Sequence, residues 1–279
     1  MLSQRGRLRD ESADREKSRA MSTFVVPGAE LAVELSDEGG HPVVQLHGLT
    51  SSRARDRVLN LDLGRGLSGT RLLRYDARGH GKSTGRKVPQ DYRWERLAED
   101  LLRLLDKWFP GEQVHGVGPS MGTGTLLHAA AREPDRFAGL TLMVPATAWH
   151  TRPAQAANYR VAAEIIETEG VGAFIAWGRA ATPPPATVGA PETVPDVADA
   201  LLPSLFRGAA LSDLPTSEAL ARIDVPTTIL AWINDPAHPL STAESLAALL
   251  PQSTLIVAHT PADVETWPQI LSKDVARRG

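Results

Sequence analysis

From Phe24 onward, short and wholly apolar runs alternate with longer stretches of helical periodicity, and this alternation limits the fold more than any other feature of the chain. Phe24-Val25-Val26 and Leu31-Ala32-Val33-Glu34-Leu35 flank Pro27-Gly28 and predict a hairpin. Further strands are expected at 42–46, 70–75, 113–118, 140–144, 227–233 and 254–258. Between them, Leu97, Leu101, Leu102, Leu104, Leu105 and Trp108 share one stripe of a helix over 94–108. Other helices are expected at 121–132, at about 241–250 and from about 263 to the end. Strands too apolar to have a wet face, separated by helices, predict an α/β fold with a mostly parallel central sheet covered on both sides. The hairpin supplies an antiparallel edge.

Residues 147–213 break the rhythm with helical stretches and no clear strand, and they include Thr182-Pro183-Pro184-Pro185 and a Pro/Gly-rich run ending at Pro195. We expect a helical cap there, joined by stiff loops and seated above the C-terminal ends of the strands, where α/β folds bind ligands. The core is then 21–146 with 214–279. Residues 1–20 hold ten charged residues and little that is apolar, which predicts a disordered leader. Met21 is an alternative start.

The length of 279 residues suits one large domain, or one domain with a modest insertion. Lys and Arg total 30 against 33 Asp and Glu, so the net charge of −3 offers no basic surface for nucleic acid. With no cysteine, disulfides, thiolate metal sites and cysteine nucleophiles are excluded. No apolar run approaches the roughly 18–20 residues of a membrane span. The expected partner is a small-molecule substrate, the expected location cytoplasmic, and the oligomeric state is left open.

Gly118-Pro119-Ser120-Met121-Gly122 stands between a predicted strand and a predicted helix, the setting of a nucleophile elbow. So abrupt a turn strains the serine backbone, and side chains at Gly118 and Gly122 would collide with neighbouring chain. It lifts the Ser120 hydroxyl clear of the sheet and leaves the Met121 amide at a helix N-terminus, aimed where an oxyanion forms. His47-Gly48-Leu49 ends an earlier strand and offers the Leu49 amide as a second oxyanion donor. Asp76-Ala77-Arg78-Gly79-His80-Gly81-Lys82-Ser83 reads as a hydrogen-bonded structural turn.

On His47-Gly48, the Asp76–Ser83 turn, Gly118-x-Ser120-x-Gly122 and the order of the strands and helices after them, the chain resembles the α/β-hydrolase family from about Phe24 to its end. The resemblance implies a triad in the order serine, acid, histidine. It places the acid after the strand before last, where Asn234-Asp235-Pro236 matches at Asp235, and the base after the final strand, where Ala258-His259 matches at His259. A hydroxyl nucleophile needs an imidazole to take its proton, and the imidazole needs a carboxylate to fix its tautomer.

Among the eight histidines, His238 is the strongest competitor, but it sits beside the acid and away from a strand end. Asp263, the rival acid, reads as a helix cap. Pro119 before the nucleophile, Ala258 before His259 and Trp232-Ile233 ahead of the acid depart from the family's pattern. The expected reaction is serine hydrolysis of a carboxylic ester or lactone of a small apolar or ring-containing molecule, through an acyl-enzyme and with no metal or organic cofactor. Trp149, Phe174, Trp177 and Phe206 are candidate pocket walls or the insertion's own core. Thioesterase, carbon–carbon hydrolase and perhydrolase activities share the same triad. A silent small-molecule-binding hydrolase fold and a cofactor-free oxygenase are the alternatives of other classes.

Overall fold

A computed structural model describes residues 19–277 of the chain. Residues 1–18 of the expected leader lie outside the described residues; Arg19 and Ala20 already belong to the first strand.

Strands β1 (Arg19–Val26), β2 (Ala29–Asp37) and β3 (Pro42–Gln45) lead to the short helix α1 (Arg53–Val58) and to β4 (Arg71–Tyr75). Helix α2 (Trp94–Trp108), β5 (Val114–Pro119), α3 (Met121–Arg132) and β6 (Phe137–Met143) come next. Three longer helices then intervene: α4 (Arg152–Glu169), α5 (Val171–Arg179) and α6 (Leu202–Ala210). The short α7 (Ser217–Leu220) precedes β7 (Thr227–Trp232), α8 (Leu240–Leu249) and β8 (Ser253–Ala258). The chain closes with α9 (Pro261–Glu265) and α10 (Trp267–Ala276), where one terminal helix was expected.

The strands form one sheet in the order β1-β2-β4-β3-β5-β6-β7-β8. The β1–β2 and β2–β4 pairs are antiparallel, and every later pair is parallel. Because side chains alternate across a strand, adjacent residues feed opposite faces. Val44, Leu73, Leu142 and Ile229 pack with Leu101, Leu104 and Leu105 of α2 and Leu126 and Leu127 of α3. Their neighbours Val43, Leu72, Met143 and Leu230 pack on the other face with Trp267, Leu271 and Val275 of α10. Both faces are dry, which is why these runs lack polar alternation.

The α4–α6 segment has its own small core around Ala162, Ala163, Ile166, Leu202, Leu205 and Phe206. It is tied to α2 by buried Arg152, which donates to the Ser212 and Ala209 carbonyls while its guanidinium lies 4.3 Å from the centre of the Trp94 ring. A second tie runs through Asp196: its amide donates to Thr50 O and its carbonyl accepts from Gly81 N. The segment is thereby fastened beside the loop after β3. Among the described residues, no helix is long and apolar enough to cross a membrane.

Candidate active site

Ser120 sits between β5 and α3 with φ +51° and ψ −108°, a backbone conformation costly for any residue with a side chain. Its amide donates to Met143 O, which pins the elbow to β6. The two flanking glycines are required by crowding. A Cβ on Gly118 would stand 2.9 Å from Leu46 Cβ, and one on Gly122 would stand 3.0 Å from the same atom and 3.1 Å from His47 O. The end of β3 therefore runs directly against the elbow, and Gly48 lies where an added Cβ would be 3.9 Å from Ser120 Cβ. Met121 is the first residue of α3, where a helix leaves its N–H groups unpaired.

His47 lies behind this loop, buried. The Gly48 carbonyl can only accept, so His47 Nδ1 donates to it at 2.8 Å, and Nε2 accepts from Ala77 N at 2.9 Å. Both ring nitrogens are thus committed, and burial lowers its pKa, so it is a neutral brace. Asp76 is likewise structural: it accepts from the Arg53 amide and guanidinium and from the Lys82 amide. His115 is a buried core residue bonded to Thr141 Oγ1 at 2.8 Å.

The base position differs from the sequence expectation. His238, not His259, reaches the serine: its Nε2 lies 2.8 Å from Ser120 Oγ, and its Nδ1 lies 2.8 Å from Asp235 Oδ2. A carboxylate accepts and does not donate, so Nδ1 carries the proton and Nε2 is left to accept from the serine hydroxyl. His259 is exposed at the end of β8, where its backbone amide donates to Asp263 Oδ2 at 2.9 Å. What separates the histidines is the chain that follows each strand. After His259 it turns at once into α9, whose capping box joins Thr260 and Asp263, so no loop returns toward the elbow.

The stretch after β7 does return. Asp235-Pro236-Ala237-His238 is a tight turn in which His238 N donates to Asp235 O at 3.2 Å, with proline at the position that favours it. The Asp235 side chain reinforces it by accepting from Ala237 N at 2.9 Å, and Asn234 opens it with φ +60°. The turn is anchored to the loop after β6 by Thr147 N donating to Ala237 O. Acid and histidine thus come from four consecutive residues. The sequence signal was present in Asp-Pro-x-His-Pro, whose prolines stiffen a turn that folds the histidine back over its own carboxylate.

Trp232, the last residue of β7, also escaped the sequence reading as a site residue. Its indole N–H donates to Asp235 Oδ2 at 2.8 Å, and its ring stands edge-on to His238 at 6.2 Å. Burial alone would raise the Asp235 pKa, but the hydrogen bond and charge of His238, the Trp232 indole and the Ala237 amide outweigh it and hold the group down to about 2.

A cavity of about 790 Å³ opens between the α5 region and the core, with Thr50 and Trp232 among its walls. Of the four aromatic candidates, Phe174 lines it. Phe206 is buried in the helical segment's own core, with its ring 5.1 Å from Phe174, and Trp177 is 45% exposed on the outer side. Trp149 lies elsewhere: its amide is held by the Asp213 carboxylate and its indole by Pro215 O.

Comparison with known proteins agrees with this architecture. A family model described as alpha/beta hydrolase fold matches residues 41–163. The chain is 30% identical over 197 residues to 3-oxoadipate enol-lactonase 2 of Acinetobacter baylyi, an alignment covering 67% of this chain and 69% of that protein. A crystal structure of a hydrolase from Pseudomonas aeruginosa PA01 superposes with a TM-score of 0.72 at 27% identity, covering 92% of this chain and 97% of that one. The enol-lactonase from Burkholderia xenovorans LB400 superposes with a TM-score of 0.70 at 22% identity, covering 91% of this chain and 100% of that one. The chain belongs to the α/β-hydrolase fold family.

Proposed function

We propose that this protein is a serine hydrolase that cleaves a carboxylic ester or lactone through an acyl-enzyme on Ser120. The observation that carries the reading is the unbroken hydrogen-bonded chain from Ser120 Oγ through His238 to Asp235. His238 Nε2 takes the serine proton as Oγ attacks the acyl carbon. The negative charge that develops on the carbonyl oxygen meets the Leu49 and Met121 amides, each contributing about 3 kcal/mol toward the barrier. His238 then protonates the leaving alcohol and, in the second half, takes a proton from water as it attacks the acyl carbon and passes it to Ser120 Oγ as the acyl–oxygen bond breaks. Asp235 stays ionised throughout, holding the Nδ1–H tautomer and stabilising the imidazolium. The similarity to an enol-lactonase supports an acyl carbonyl as the reacting group. Residues 147–213 serve as a cap that shields the reacting bond from bulk water.

The test is fluorophosphonate labelling read by intact mass. One adduct per chain on the wild type and none on Ser120→Ala is the expected result. No adduct on folded wild type would overturn the hydrolase reading and favour a protein that binds small molecules without cleaving them.

A further inference from the structure

Arg55 is the feature of the large cavity that the triad does not explain. Most of the wall is apolar, with Leu59, Leu61, Phe174, Ile175, Val188 and Trp232 contributing. Four charged residues line it as well, and three of them face outward. Arg179 and Glu192 are exposed and paired with each other at 2.8 Å, and Glu265 is exposed. Arg55 is half-buried on the core side of the cavity.

Among the described residues, Arg55 forms no ion pair; its bonds go to neutral oxygens. Its Nε donates to Thr193 Oγ1 at 2.8 Å, and its Nη1 donates to Thr50 O at 3.1 Å and Thr50 Oγ1 at 3.2 Å. Nη2 makes no hydrogen bond with the described residues and stays accessible. Burial works against its charge, and Asp56 and Asp196 offset that only through space. The other arginines of this neighbourhood are neutralised at contact distance: Arg53 by Asp76, Arg57 by Glu34 and Asp62, and Arg74 by Asp62. A guanidinium held by two neutral partners, with a free N–H edge, on a residue that lines a mostly apolar cavity is the arrangement that recognises a carboxylate.

Two residues of the cavity wall stand next to the candidate site. Thr50 comes directly after Leu49 in the loop beside the elbow, and Trp232 grips the carboxylate of the triad. We infer that the substrate of the hydrolysis proposed above carries, beyond its reacting carbonyl, an apolar arm ending in a carboxylate, and that Arg55 pairs with that carboxylate in this cavity. The inference rests on the hydrolase reading for which bond is cleaved, and on the cavity itself for the charge.

The test separates the two. Isothermal titration with 4-phenylbutyrate and with its neutral amide, 4-phenylbutanamide, reads the charge with no turnover. On the wild type the acid should bind about tenfold more tightly than the amide, equivalent to about 1.4 kcal/mol, and the preference should shrink as salt is added. Arg55→Gln should erase the difference, and Arg55→Lys should keep part of it. The acid should also inhibit p-nitrophenyl acetate hydrolysis competitively, which joins cavity to serine. Arg55 also braces the Thr50 carbonyl, so its loss will slow turnover of every ester; the acid-to-amide ratio is the reading that a purely structural role leaves unmoved. Equal binding of the two probes by the wild type would overturn the carboxylate site, as would a preference that survives Arg55→Gln and disappears in Arg179→Gln. Ser120 labelling with equal probe binding leaves the hydrolase reading standing alone. A charge preference without labelling does the reverse.

Discussion

Two short stretches at the C-terminal edge of the sheet carry the same pair of groups, an acid and a histidine a few residues apart, and the fold uses them in opposite ways. After β7, Asp235 and His238 close a turn that lays the imidazole between carboxylate and serine. After β8, His259 and Asp263 begin a helix: the acid accepts from the His259 and Thr260 amides and from the Thr260 hydroxyl, and the ring is left outside. Order along the chain does not decide which pair meets Ser120. Local turn chemistry does: a proline at the second turn position folds the chain back, whereas threonine with proline directly after it starts a helix.

The sharpest way to break this comparison is to remove each imidazole in turn. His238→Ala should lower kcat/KM for a simple ester by on the order of 10⁴–10⁶, because the hydroxyl loses its base. His259→Ala should leave it within about threefold, since a surface side chain away from the serine is being trimmed. Steady-state hydrolysis of p-nitrophenyl acetate by both variants checks this. A large loss in His259→Ala with little in His238→Ala would mean that the β8 end rearranges to supply the base.

The acids should show a smaller difference. Asp235→Asn should cost on the order of 10³–10⁴ in kcat, by favouring the wrong histidine tautomer and by removing the charge that faces the imidazolium. The sign of its pKa shift sets the pH range of the effect. A carboxyl held down to about 2 in the fold is ionised at every pH well above that, so the wild-type-to-variant ratio, read on the alkaline plateau where the imidazole is neutral in both proteins, should not change with pH. A ratio that varies with pH along that plateau would show that Asp235 changes its protonation there. Asp263→Asn, at the other pair, should leave kcat unchanged.

Trp232→Phe tests the support behind the acid. It keeps an aromatic ring against Trp267, which stacks on it at 6.0 Å, and deletes only the indole N–H that holds Asp235. We expect a fall in kcat of about tenfold, the worth of one hydrogen bond to a charged group, with KM for a simple ester little changed. An equal fall in affinity would show that Trp232 acts through the cavity it lines rather than through Asp235.

What the sequence made readable divides along the same line. The α/β architecture was legible because buried strands and a striped helix such as 94–108 leave strong periodic signals. The elbow was legible because its two glycines answer a steric demand, the approach of Leu46, that no other residue meets. Asp235 was readable from its place after β7. His238 was visible only as a competitor, because position relative to the strands favours His259 and the turn formed by its own neighbours is the weaker signal. Trp232 departs from the family's pattern, but its hydrogen bond to Asp235 depends on a rotamer no spacing rule gives. The aromatic residues of 147–213 were ambiguous for a related reason: ring size predicts burial, and whether that burial faces a cavity or a small local core depends on helix rotation, which put Phe206 in one and Phe174 between both.

The smallest effect lies in the pair that does not reach Ser120. If the β8 stretch is purely a helix start, its worth is that of a cap. Thr260→Ala removes the hydroxyl that accepts from Asp263 N at 3.3 Å and donates to Asp263 Oδ2 at 2.9 Å, opening one half of the box and leaving the Thr260 amide on Asp263 Oδ2. Such caps contribute about 1 kcal/mol, so urea unfolding should show a loss of that order with an unchanged m-value, and ester hydrolysis should stay within about twofold. The stretch after β7 should behave in the opposite manner. Pro236→Ala relaxes the turn that positions His238, so it should lower kcat several-fold while shifting the unfolding midpoint by less than Thr260→Ala does, because a single exposed turn proline contributes only about 0.4–1 kcal/mol. A Thr260→Ala variant with full stability and impaired catalysis would erase the distinction, since it would make the helix start part of the catalytic apparatus.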